Sequence, residues 1–132
     1  MHIVDALFVG SDFVTSVWMS RDADKTLKKF QKKHRTEIPK LLAKVEHWAE
    51  GGFVNFEGGE GYPIKHESDG PGVYRLGHKT LFRLLGFYEN DDKGLFIIID
   101  AFLKSGESLN SSDKDRIRAV ANVKKYRQWQ KG

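Results

Sequence analysis

The feature that most constrains this chain is the run Leu95 to Leu103, LFIIIDAFL, in which Asp100 is the only polar residue. A strand with apolar residues at successive positions has no face to give to water. It belongs at the centre of a sheet, covered on both faces. The turn cluster Asn90-Asp91-Asp92-Lys93-Gly94 precedes it. Before that turn stands a second strand, Leu81 to Tyr88, and before the turn Gly77 to Thr80 a short one, Val73 to Leu76. The fold must therefore be built around an antiparallel series of three strands.

Upstream the periodicity is helical. Asp22 and Asp24 suit a helix start, and Ala23, Leu27 and Phe30 recur at helical spacing, which predicts a helix to about Lys33. Thr36 stands as the cap of a second helix with Pro39 in its first turn. Ile38, Leu41, Leu42, Val45, Trp48 and Ala49 form one apolar stripe, ended by Gly51-Gly52. Residues 53–72 read as a loop with room for one short extended piece. A first strand is expected near His2 to Val9, while Phe13 to Met19 suits a strand or a helix equally. Ser112 and Asp115 read as a capping pair for a last helix whose apolar residues are Ile117, Val120, Ala121, Val123 and Tyr126. Helices followed by strands predict an α+β fold: a twisted, mainly antiparallel sheet with two N-terminal helices packed on one side and a C-terminal helix. The length, 132 residues, suits one domain over 1–132.

Composition excludes several classes. There is no cysteine, so disulfide frameworks, thiol catalysis and cysteine–zinc sites are out. No apolar run reaches the roughly 20 residues that span a bilayer. Met1 to Gly10 lacks a basic start and a small-residue cleavage site, so a cytoplasmic protein with no membrane partner is expected. The five histidines show no metal-ligand spacing, and no phosphate-loop or serine-elbow motif occurs, so neither metal nor cofactor is expected. The net charge of +4 suits a phosphate-bearing partner.

The candidate chemistry lies on the strands. Period-2 alternation puts Arg83 on one face with Leu81, Leu85 and Phe87, in a strand where an isolated charge is expensive. Either Arg83 pairs with an acid, such as Asp100 on the neighbouring strand, or it faces a groove. Arg75 lies one turn upstream and can share its surface. Lys104 follows the long strand, and His78 and Lys79 sit at the turn. Fixed arginines and lysines stabilise charge on a phosphate under in-line attack by a 2′-hydroxyl, while a histidine, a carboxylate or an amine of lowered pKa must supply proton transfer. Lys79 and the helix lysines Lys28, Lys32 and Lys33 are the candidate RNA contacts. As plain structure, those lysines are a solvated helix face.

The stretch GPGVYRLGHKTLFRLLGFYENDDKGLFIIIDAFLKSGESLNSSDKDRIRAVANVKKY resembles the C-terminal half of RelE/HigB-type toxins, in particular their phage-related branch. The matching pieces are Val73-Tyr74-Arg75-Leu76, Phe82-Arg83-Leu84, Phe96 to Asp100, Phe102-Leu103-Lys104 and the helix after Ser112. The resemblance implies a metal-independent mRNA endoribonuclease, often ribosome-dependent, silenced by a cognate antitoxin protein. Position by position, it assigns phosphate contact to Arg75, Arg83 and Lys104, and it implies His66 or His78 as the histidine that serves in proton transfer. Two other readings remain: a toxin of this fold that inhibits gyrase without cutting RNA, and a non-catalytic phage or host nucleic-acid-binding module.

Overall fold

The structure, a computed structural model, describes residues 3–8, 15–56, 65–66, 70, 72–77, 80–92, 94–104 and 111–131, with side chains apart from those at 3–8, 54, 65–66, 91 and 128–131. In chain order the elements are β1 (Ile3–Phe8), β2 (Ser16–Ser20), α1 (Arg21–Gln31), α2 (Glu37–Gly51), β3 (Lys65–His66), β4 (Tyr74–Leu76), β5 (Phe82–Tyr88), β6 (Leu95–Leu103) and α3 (Ser111–Lys131). The chain is α+β. The six strands form one sheet in the order β1-β2-β6-β5-β4-β3. β2 and β6 run parallel, and the other neighbours run antiparallel.

The apolar run of β6 sits where its composition requires, between β2 and β5. One face carries Phe96, Ile98 and Ala101 into a core shared with Ala23 and Leu27 of α1 and with Ile38, Leu41, Val45, Trp48 and Ala49 of α2. On the other face, Phe102 joins Leu85, Phe87 and Val73 against Ile117, Val120 and Ala121 of α3. The sheet is thus a middle layer, with α1 and α2 on one side and α3 on the other. Side chains on both faces leave water, which is the main stabilising term for such a sandwich.

The ambiguous segment Phe13 to Met19 resolves at its described end as β2. Its Val17 and Met19 pair in register with Phe96 and Ile98 and face the same core. Ser20 then starts α1: its hydroxyl accepts from the Ala23 backbone N at 3.2 Å and donates to the Ile99 carbonyl at 2.9 Å. That carbonyl belongs to a bulge. Leu85 pairs with Asp100 and Gly86 with Ile98, so Ile99 is the extra residue in β6. Gly86 lies beside the bulge, where a Cβ would run into the Ile97 carbonyl oxygen.

Three local expectations change. Thr36 occupies the cap position of α2 but makes no side-chain cap bond, because its backbone is already helical there. Thr15 instead ties down the far end of that helix: its backbone N donates to the Ala49 carbonyl, and its hydroxyl accepts from the Phe53 backbone N. α3 begins at Ser111, so Ser112 lies inside its first turn, and Asp115 pairs with Arg118 rather than capping. Tyr126 is 56% exposed, because by that point the helix has passed the apolar patch that Ile117, Val120 and Ala121 cover. No helix among the described residues is long and apolar enough to cross a membrane.

Candidate functional site

Register decides which strand residues share a surface. Arg75 pairs with Leu85, and Arg83 with Phe102. Paired residues in an antiparallel sheet project to the same face, and Leu85 and Phe102 both pack beneath α3. The two arginines therefore lie on the α3 side as diagonal neighbours across β4 and β5. Diagonal neighbours in such a sheet stand about 7–8 Å apart, with their Cβ atoms somewhat closer. Lys104 follows β6 at the Arg83 end, and its backbone N donates to the Leu81 carbonyl at 2.9 Å.

Neither arginine is open to water: Arg75 is 9% exposed and Arg83 is 6% exposed. The Arg83 guanidinium is turned into the β4–β5 connection. Its Nη1 donates to the carbonyls of Gly77 at 2.7 Å, Phe82 at 3.0 Å and Thr80 at 3.1 Å. Gly77 holds φ 96, and a Cβ there would run into the Phe82 carbonyl oxygen. Thr80 closes the same turn through its hydroxyl, which donates to the Gly77 carbonyl at 2.7 Å. Arg83 is thus the charged centre of a turn lined by carbonyl oxygens.

Asp100, the acid considered for Arg83, is held elsewhere. Arg116 of α3 grips both its oxygens, at 3.0 and 2.9 Å, and the Ala101 backbone N donates to one of them. The Arg116 guanidinium also lies 4.9 Å above the Phe102 ring. Being 44% exposed, Arg116 is a far more accessible cation than either strand arginine. Sequence reasoning missed it. Its signal was the lone acid in β6, which needs a cation from whatever covers that face.

Of the histidine candidates, His66 lies in β3 at the register position opposite Tyr74. The Tyr74 ring packs toward the α1 and α2 side. That places His66 and Arg75 on alternating rows, with Lys65 opposite Arg75. His78 and Lys79 lie outside the described residues. Lys28, Lys32 and Lys33 are exposed on and just beyond α1, across the sheet from the arginines. The structure therefore brings Arg75 and Arg83 onto one surface, adds Arg116, sets Lys104 at its end and leaves the α1 lysines apart.

No protein-family model matches the chain, and no curated protein matches it.

Proposed function

We propose that this chain is a toxin of the RelE/HigB type that cuts mRNA by metal-independent attack of the 2′-hydroxyl, with a cognate antitoxin and the ribosome as its partners. The observation that carries the reading is the shared face of Arg75 and Arg83 across β4 and β5, with Lys104 at its end. Cations on a rigid sheet can meet the charge that builds on a phosphate without reorganising during the reaction. In this scheme Arg75 and Lys104 touch phosphate, Arg83 shapes the turn beside them, and His78 moves the proton, since the register of β3 sets His66 on the other row from Arg75.

One observation favours the second reading, a toxin of the same fold that inhibits gyrase without nuclease activity. Arg83 Nη1 is committed to three carbonyls, and a phosphate would have to compete for it. A translation reaction with added protein separates the two, read out by mapping mRNA 5′ ends. New ends that fade with Arg75→Ala and Lys104→Ala support cutting. Intact mRNA together with blocked DNA supercoiling supports the gyrase reading. A short adjoining reading frame encoding a DNA-binding antitoxin supports either against a plain binding module.

A further inference from the structure

The seventeen residues 21–37, from the start of α1 to the first residue of α2, contain seven cations and three acids. The whole chain has 22 and 18, so everything outside this segment balances at fifteen of each. All of the +4 net charge is here.

Its placement is not that of an ordinary solvated helix. At 3.6 residues per turn, Arg21, Lys25, Lys28, Lys29 and Lys32 fall within an arc of about 100°, directly opposite the Ala23, Leu27 and Phe30 side that packs on the sheet. Lys32 still has helical φ and ψ, so the line continues through it. The five cations span about 16 Å along the axis. An ordinary exposed face mixes signs at i, i+4. Here Arg21–Lys25, Lys25–Lys29 and Lys28–Lys32 are like-charge pairs, each mildly destabilising, and Asp24–Lys28 at 2.9 Å is the offsetting contact. The helix dipole welcomes Lys28 and Lys29 in the last turn but opposes Arg21 at the first position. A stripe that works against its own helix suggests a use outside it.

We propose that the exposed stripe of α1 is a sequence-independent track for the phosphate backbone of RNA, separate from the arginine face across the sheet. An anionic membrane fits poorly, because the apolar side of α1 is already packed on the sheet and cannot insert. A protein partner fits poorly, because interface cores favour aromatic residues and arginine and deplete lysine. The choice of RNA over DNA rests on the proposed function; the phosphate contact does not.

The test measures binding of a labelled 2′-O-methyl RNA 20-mer, which retains the phosphates but offers no 2′-hydroxyl for attack. Failure of the nuclease reading therefore leaves the measurement intact. The expected log–log dependence of affinity on salt has a slope of about −3, matching roughly four to five phosphate contacts on a single strand. Lys25→Gln, Lys29→Gln and Lys32→Gln together should weaken binding by about tenfold or more at low salt and flatten the slope by about 2. Lys40→Gln, Lys44→Gln and Lys125→Gln together remove the same charge from exposed positions elsewhere, and should change affinity by less than about threefold. Circular dichroism checks that both triple variants keep their helices. Equal losses in the two variants would mean that net charge alone acts, and the track would be wrong. DNA of the same sequence bound more tightly than the RNA would overturn RNA as the occupant. Vesicles of phosphatidylglycerol and phosphatidylcholine bound through α1, with RNA binding unaffected by its substitutions, would overturn the proposal as a whole.

Discussion

Arg83 shows how one side chain can hold a fold together by giving carbonyls a partner. Three carbonyl oxygens at the β4–β5 connection converge on its Nη1. Hydrogen bonds from a charged donor contribute about 1.5–3 kcal/mol each, partly offset by desolvation of the guanidinium. Arg83→Met should therefore lower stability by about 2–4 kcal/mol, seen as an earlier urea midpoint. Arg83→Lys should restore less than about half of that, since the lysine stem is one atom shorter and holds its ammonium short of the place where Nη1 meets the three carbonyls. Gly77→Ala tests the same turn from the backbone side. Its φ of 96 and the collision with the Phe82 carbonyl oxygen should make it at least as damaging as Arg83→Met. A fully stable Gly77→Ala protein would refute this account of the turn.

At the level of elements, the join between β2, α1 and the β6 bulge rests on Ser20. The hydroxyl both caps the helix and satisfies the carbonyl of the extra strand residue. Ser20→Ala should cost about 1–2 kcal/mol, with the loss localised by faster amide exchange in the first turn of α1. The two cross-layer ion pairs of α3 should differ. Asp100–Arg116 is partly exposed, so breaking it should change stability by about 1 kcal/mol or less. Arg127 reaches Glu89 at 2.7 Å where the carboxylate is only 4% exposed. Arg127→Ala should cost more, about 2–3 kcal/mol, because it strips a cation from a buried acid. A urea midpoint measured for both variants decides the ranking.

For the whole molecule, α3 is one wall of the core. Without it, Val73, Leu85, Phe87 and Phe102 would face water on a sheet that is apolar on both sides. A chain ending at residue 110 should be insoluble or molten, whereas one ending after Arg127 should keep a cooperative thermal transition. If the shorter chain melted cooperatively at an unchanged temperature, the two-sided core would not be the source of stability. The same layering separates the two cationic surfaces: the arginine face lies under α3, and the α1 stripe lies beyond the other core.

Local pattern determined most of the elements. The largely apolar runs of β5 and β6 and the apolar stripe of α2 each admit one way to leave water, so their type and burial follow from spacing. The shared face of Arg75 and Arg83 was also legible, given a hairpin between them. Tertiary structure alone decided what no local period encodes. It set the parallel pairing of β2 with β6, the bulge at Ile99, and the layer that covers the second face. It also decided the partners of the charges: Asp100 goes to Arg116, sixteen residues on, and Arg83 goes to carbonyls of its own turn. A buried charge takes the partner that folding brings within about 3 Å. That depends on register and layer packing, which no stretch of residues specifies by itself.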